Sequence, residues 1–584
     1  MTTISPGQFA FGPFRLDTKE HSLTRHGDQL PLTPKSFDLL CLLVCHAGRL
    51  VDKERIMQTL WPDSFVEEAN LSNLIAALRR QLGDSSAQPI YIQTVPKLGY
   101  RFVARVEEVR CESKPTAGQE QPQRQPTAIR FIAFPFRANG PVTEVEHLGF
   151  GLSDEISSVL ADLNAFIVRS VQVAMRFDPI HWDPARVAEQ AEVDVILSGT
   201  YSQHGPQLQL LTHLMEARSG ALLWSKQWRI ERDEAFRLPQ AVVQMIVRTL
   251  LRGDKYHHTD RVASDATFDL YLRANLLTMN RTPENMALAR DLYLACIEKD
   301  PRYAPAWANL GRCYRFLDKF APRPGHYRNA AISAFERAFA LDPDLGIAHI
   351  FYTALQVESG AAGDAVVRLL KRSTRHSNDP QLFSALVHAC RYCGLLDVSV
   401  AAHKRALQLD PNVRTSVAHT YFAQGDYERA LFWYGAEAGL YLDALSLACM
   451  NRKKEALALL WSRRDKFHLM PVQMESLQAY LEGDHDRCIS VLKETASGAK
   501  DPEMVFYASR QAAIVGAIDL ANTLLSESIG RGYFSSHAMA HDPWLQSLRD
   551  TGEFRSMVER ARHSEAKARR SFHETGGDDL LLAR

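Results

Sequence analysis

The reading of this chain turns on Glu68-Ala69-Asn70-Leu71-Ser72-Asn73-Leu74-Ile75-Ala76-Ala77-Leu78-Arg79-Arg80-Gln81-Leu82. Leu71, Leu74, Ile75, Leu78 and Leu82 recur at three- and four-residue spacing, which puts them on one face of a helix. Asn73, Ala76 and Arg80 fall on the opposite face, flanked by Ser72, Ala77 and Arg79. That outer face is small in the middle and polar around it. Such a surface can enter a DNA major groove: arginine forks onto guanine, asparagine onto adenine, and a small apolar group meets a thymine methyl. On this stretch alone, a solvated helix face with no duty explains the pattern equally well.

The flanking residues decide between the two. Upstream, Leu32-Thr33-Pro34-Lys35-Ser36-Phe37-Asp38-Leu39-Leu40-Cys41-Leu42-Leu43 reads as a helix with Thr33 as N-cap and Pro34 in the first turn. Val51 to Pro62 reads as a second helix, stopped by the proline. Downstream, Pro89 to Phe102 reads as a strand, a turn and a returning strand. Three helices followed by a hairpin make a winged helix-turn-helix.

With LTPKSFDLL, LRRQLGD, YIQTVPKLGYRF and a β segment FGPFRLD before them, residues 8–106 resemble the OmpR/PhoB-type DNA-binding domain. The resemblance implies that the third helix enters the major groove and the wing reaches the adjacent minor groove. It makes Asn73, Ala76 and Arg80 the base readers, with Ser72 and Ala77 beside them. Lys35, Asn70, Arg79, Thr94, Lys97, Tyr100 and Arg101 become the phosphate or wing contacts. Leu98 departs from the pattern, standing where relatives often carry a second basic wing residue. The loop Trp61–Glu68 can face RNA polymerase in related domains, so Asp63, Glu67 and Glu68 are candidate polymerase contacts. An acidic helix N-terminus serving the helix dipole is the competing explanation.

Charge does not announce DNA binding. The 584-residue chain has formal net charge zero, and its first 110 residues carry 13 Lys+Arg against 12 Asp+Glu. The case rests on side-chain placement, and nonspecific affinity is expected to be modest. Nine cysteines lie scattered without a disulfide framework, as in a reducing cytoplasm. The N-terminus MTTISPGQFAFGPF has no export pattern, and no apolar run approaches the roughly 20 residues needed to span a bilayer. The expectation is a soluble, cytoplasmic protein without membrane contact.

The length calls for several domains. Residues 1–106 form the winged helix, and residues 107–127, rich in Pro, Gln and Glu, read as a flexible linker. Residues 128–252 read as an α/β domain: strands near 129–136, 165–168 and 193–201, a helix over 148–163 opened near Ser153, a short helix over 184–191, a hairpin over 208–229 and a helix over 238–251. GLSDEI, VDVILSGTY and MEARSGALLWSKQW resemble the TolB-N-terminal-like (FlgO-like) module. Gly149-Phe150-Gly151 before a helix could cradle phosphate, but neither GxGxxG nor GxxxxGK[ST] is present. Asp154 and Glu155 read as helix-dipole partners. No nucleophile–base constellation stands out, so the expectation is a packing module and no enzyme.

From Asp265 the pattern is helical throughout. Asp-Pro recurs at Pro301, Pro343, Pro380 and Pro411, bracketing a 34-residue period. Trp307-Ala308-Asn309-Leu310-Gly311-Arg312-Cys313-Tyr314 fits W-x2-L-G-x2-Y, and Tyr421 to Leu431 is a near-consensus turn and helix start. Residues 265–562 thus resemble an all-α tetratricopeptide solenoid of seven or eight helix pairs, capped by Asp542–Arg562, with residues 563–584 as a flexible tail. His388, Cys390 and Cys393 form a lone CxxC cluster without a second pair, which favours packing over zinc. No metal or cofactor is expected.

The fold class expected is multidomain α+β. The whole architecture resembles the HilA-type (cytosolic CadC/ToxR-like) regulators. That resemblance implies a bacterial DNA-binding transcription regulator acting on double-stranded promoter DNA, whose repeats dock a protein partner or self-associate. It also carries the associations of the family: transcriptional activation and phosphorelay signal transduction. Two alternatives stay open. One is an interaction scaffold whose winged helix docks protein; the other is a regulator whose α/β domain senses a small molecule.

Overall fold

The computed structural model describes the chain except residues 1–7, 13, 18–21, 26–27, 31–33, 46, 49, 61–70, 72–73, 77, 80–81, 83, 85–88, 96–97, 105, 109–127, 141–145, 252–264, 321–326, 435–440, 464–469, 499–500 and 583–584. It falls into two compact units, Met1–Gln123 and Arg124–Arg584.

The first unit opens with an antiparallel meander: β1 (Gln8–Phe11), β2 (Phe14–Asp17), β3 (Ser22–Arg25) and β4 (Asp28–Leu30). FGPFRLD is therefore no single β segment. β1 ends at Phe11 and β2 starts at Phe14, and the two rings stack at 5.5 Å between centroids. Next come α1 (Pro34–Cys45), β5 (Leu50–Asp52) and α2 (Lys53–Leu60). A third helix, α3, is described at residues 71, 74–76, 78, 79 and 82. The wing strands β6 (Ile92–Val95) and β7 (Gly99–Phe102) follow, then β8 (Glu107–Glu108).

Two boundaries differ from expectation. Val51 and Asp52 are strand rather than helix, because Val51 pairs with Tyr100 in the sheet β5-β7-β6. Glu107 and Glu108 belong to the fold rather than the linker, because they pair with Ala10 and Phe9 on the free edge of β1. The remaining linker residues, 109–127, lie outside the described residues, as does the cap Thr33. The core joins Leu39, Leu40, Leu42 and Leu43 of α1 to Ile56, Leu78, Ile92 and Phe102, all fully buried. Four leucines within five positions leave α1 no polar face there, so it forms the centre of this unit.

The second unit begins with a mixed sheet in the order β11-β9-β12-β13-β14, where β9 is Ile129–Ala133, β11 Phe166–Val168, β12 Val195–His204, β13 Gln207–Glu216 and β14 Leu222–Glu231; β10 (Arg137–Ala138) pairs with β12. β9 lies parallel to β11 and β12, and the β12-β13-β14 hairpins are antiparallel. The helices here are α4 (Glu146–Ala161), α5 (Val171–Ala174), α6 (Pro184–Gln190) and α7 (Leu238–Leu251).

α4 corrects three expectations. It starts at Glu146, so Ser153 is buried mid-helix, donating its hydroxyl to the Phe150 carbonyl at 2.8 Å. Gly149 and Gly151 lie inside the helix, not in a phosphate loop. A Cβ on Gly149 would meet the Phe136 carbonyl oxygen at 2.2 Å, and one on Gly151 would meet Leu272 at 2.8 Å. Close packing is their purpose. Asp154 lies in the helix middle rather than the first turn, and burial pushes its carboxyl up to about 6.

Among the described residues eight helix pairs follow: α8 (Asp265–Leu277) with α9 (Pro283–Lys299), α10 (Ala304–Phe320) with α11 (Arg328–Leu341), α12 (Gly346–Glu358) with α13 (Ala362–Ser373), α14 (Pro380–Tyr392) with α15 (Leu396–Leu409), α16 (Val417–Ala423) with α17 (Tyr427–Tyr434), α18 (Leu442–Cys449) with α19 (Lys453–Trp461), α20 (Pro471–Glu482) with α21 (His485–Gly498), and α22 (Pro502–Ile514) with α23 (Ile518–Gly530). The Asp-Pro pairs mark turns in two ways. Asp379 and Asp501 N-cap α14 and α22 with proline at the first helical turn, whereas Asp300, Asp342 and Asp410 close α9, α11 and α15. Gly311 touches Phe335 where the repeat pattern asks for a small residue. Cys390 and Cys393 are buried in the core, and His388 packs edge-on against Tyr392. Among the described residues no group of three or more His, Cys, Asp or Glu could hold a metal.

The α/β sheet and the first repeats do not have separate cores. Phe131, Leu152 and Val243 join Leu272, Tyr293 and Leu310 in one cluster. Fully buried Arg169 fastens the two, donating to the carbonyls of Ala191 at 2.8 Å and Leu409 at 2.7 Å, with Asp410 at 3.4 Å. The array also closes back on itself. Lys319 of α10 reaches Glu358 at 2.8 Å and also Asp501, and Arg391 of α14 grips Glu503 of α22 through two bonds of 2.8 and 3.0 Å.

The expected flexible tail is instead helical. After α24 (Ser536–His541) and a 3-10 turn at Pro543–Leu548, α25 runs from Gly552 to Glu574 and α26 from Gly577 to Leu581. The tail has little apolar surface, but it places Phe572 fully in the core and Arg569 on Asp397 at 2.7 and 3.0 Å. Those anchors hold a segment whose composition alone suggests fraying.

Three imidazoles make the array acid-sensitive. Burial lowers His349, His403 and His419 to about 4 from an ordinary 6.5. Their folded values lie below their unfolded ones, so the stability they support is present above pH 6.5 and lost as pH falls toward 4. Asp154 and Asp379, raised to about 6, and Asp410, also raised by burial, work in the opposite sense; His376 and His388, lowered by burial as well, keep the imidazoles the larger group. Thermal melting of the full chain should therefore show a lower midpoint at pH 5 than at pH 7. His403→Gln should flatten that dependence; an unchanged slope would refute the assignment.

Candidate nucleic-acid interface

The third helix is held by its apolar face. Leu71, Ile75, Leu78 and Leu82 are buried, Leu74 is half-buried, and Ala76 is exposed on the other side. The helix end is tied to the wing by Asp84, a residue with no role expected from sequence. The Asp84 amide donates to the Arg79 carbonyl at 2.8 Å. Its carboxylate accepts from the amides of Ile90 at 2.7 Å, Tyr91 at 3.2 Å and Ile92 at 2.7 Å. An aspartate closing LRRQLGD ahead of a strand is the only available signal for this role, and it reads as an ordinary turn residue.

Arg79 is placed differently from expectation. Its guanidinium donates to the Ile92 carbonyl at 2.7 Å and the Thr94 hydroxyl at 2.9 Å. It braces helix against strand rather than extending to a phosphate, because β6 runs within its reach. Tyr100 is corrected as well: it is buried in the core beside β5, not displayed on the wing. Arg101 is half-buried, and its Nε has no hydrogen-bond partner among the described residues. Thr94 is exposed, as is Lys35, whose ammonium bonds the Leu60 carbonyl and so joins the start of α1 to the end of α2. Leu98 is exposed at the wing turn, its amide donating to the Val95 carbonyl at 3.1 Å. Ser72, Asn73, Ala77, Arg80, Asn70, Lys97, Asp63, Glu67 and Glu68 lie outside the described residues.

Gly99 sets the wing's position. A Cβ there would meet the Val51 carbonyl oxygen at 2.1 Å. Gly99→Ala should displace β7 from β5 and cost about 1–3 kcal/mol or more, read by chemical denaturation of the full chain. Unchanged stability of the first unit would overturn the packing argument.

A helix with a buried apolar stripe and a small outer face, locked to a β wing, defines the winged-helix class. Residues 27–102 match the family model described as transcriptional regulatory protein, C terminal. The first unit carries that OmpR/PhoB-type domain. Residues 292–321 match a tetratricopeptide repeat model. The chain is similar to transcriptional regulator HilA of Salmonella typhi, at 25% identity over 53% of this chain and 54% of the relative. It is also similar to transcriptional activator CadC of Escherichia coli K12, at 31% identity over 18% of this chain and 22% of the relative. The solved DNA-binding domain of E. coli CadC is 28% identical, covering 18% of this chain and 97% of that one, with a TM-score of 0.17. The chain spans about half the length of the HilA relatives it matches. No helix among the described residues is long and apolar enough to cross a membrane.

Proposed function

We propose that this chain is a bacterial DNA-binding transcription regulator, working in the cytoplasm on double-stranded promoter DNA and catalysing no reaction. The observation that carries the reading is the third helix, with Ala76 open and its opposite face buried under a wing fastened by Asp84 and Arg79. The similarity to HilA and CadC supports it. Asn73, Ala76 and Arg80 read base edges, with Ser72 and Ala77 alongside. Lys35, Asn70, Thr94, Lys97 and Arg101 hold phosphate or the minor groove, while Arg79 positions the helix. Asp63, Glu67 and Glu68 meet RNA polymerase.

The domain limits proposed follow the sequence except that the winged helix runs through Glu108 and the helical C-terminal region through Leu581; residues 128–252 are a TolB-N-terminal-like (FlgO-like) module. The repeats dock a protein partner or a second copy and so govern the first unit. Selection of bound fragments from a genomic DNA library by the full-length protein tests the reading. Enrichment of a common motif is expected, and recovery no better than with a non-binding control protein would refute it.

A further inference from the structure

A cavity of about 780 Å³ lies between the α5 segment of the sheet domain and the inner helices of the first four repeat pairs. Its walls carry five arginines: Arg176 beside α5, Arg281 in the turn between α8 and α9, Arg312 and Arg315 on α10, and Arg414 after α15. Phe316 and Phe351 add aromatic wall. Several of the nearby acids are already engaged. Asp410 is engaged by Arg169 at 3.4 Å, and Glu358 by Arg315 at 2.7 Å and Lys319 at 2.8 Å. Asp379 is spent capping α14.

Of the cationic groups, Arg176 donates to the neutral side chain of Asn412 at 3.3 Å. Arg312 donates to the Thr278 hydroxyl at 3.3 Å and lies 4.7 Å over the Phe351 ring. The charges that act on Arg281 are those of Arg312, Arg315 and Arg414, all cations. Asp154 is the one carboxylate whose charge acts on Arg312. Like charges gathered around a hollow cost free energy unless an anion enters it.

We propose that this cavity binds a small organic anion bearing two or more negative charges, phosphate or carboxylate, with its apolar part against Phe316 and Phe351. A small molecule fits better than an extended peptide. Ser170, Gln172, Val173 and Arg176 line the cavity opposite the repeat helices, and the Arg169 contacts fasten that side to the array. The size lies within the usual range for small-ligand sites. Arginine forks suit both oxyanion types. This site is independent of whether the first unit reads DNA.

The test uses the full-length protein without DNA. Pyrophosphate and citrate are each titrated calorimetrically at constant ionic strength, and melting is followed with each against matched chloride. Saturable binding of at least one, with Kd below about 1 mM, is expected, and the stronger of the two identifies phosphate or carboxylate as the headgroup. Arg281→Gln and Arg312→Gln should each weaken that binding by about tenfold or more. Arg281→Gln, at an exposed position, should melt no lower than the parent without anion, because it removes a repelling charge. No saturable binding of either anion, or equal binding by parent and Arg281→Gln, overturns the proposal.

Discussion

Glu503→Ala should destabilise the repeat array by about 3–5 kcal/mol, the usual cost of removing one partner from a buried ion pair. Glu503 accepts both Arg391 bonds, and the two side chains are only 6% and 3% exposed. It also accepts from the Tyr507 hydroxyl at 3.1 Å. With Glu503 gone, Arg391 keeps its bonds to Ser416 but becomes a buried cation without its carboxylate. Most of the cost is that stranded charge rather than the lost attraction. Arg391→Met combined with Glu503→Met should recover much of the loss, since neither charge is then buried alone. Urea denaturation of the full chain, run as a double-mutant cycle, measures both effects. A loss below about 1 kcal/mol for Glu503→Ala would mean that the contact between α14 and α22 opens freely in solution.

Arg80→Ala should flatten base preference at one or two positions of the DNA site, at a cost of about 1–3 kcal/mol for the preferred base. Lys97→Ala should instead weaken all sequences evenly and lower the salt slope by about one unit. This contrast follows from the proposed division between a helix that reads and a wing that holds. Competition of the full-length variants on a randomised site library at two salt concentrations separates the two. Circular dichroism serves as the folding control. An unchanged sequence preference for folded Arg80→Ala would remove the third helix from the groove.

Leucine spacing alone marks the face by which the third helix packs, because burial follows the helical period whatever it packs against. Asp-Pro spacing and W-x2-L-G-x2-Y likewise mark the repeats, since each pair repeats the same local packing problem. The uses of Arg79 and Asp84 were not legible in this way. An arginine near the helix end and an aspartate in a turn read as surface residues until β6 is in place to receive them.

The sequence by itself determined the winged helix, the α/β order of strands and helices, and a run of seven or eight helix pairs, because each depends on contacts between residues near in the chain. Tertiary structure alone decided the rest. It made the sheet domain and the first repeats share one core. It drew Arg391 to Glu503, 112 residues away, and Lys319 to Asp501, 182 residues away. It packed a polar tail through Phe572, and it gathered five arginines around one hollow. Those outcomes depend on how small rotations between successive repeats add up along the array, and local residue patterns do not encode that sum.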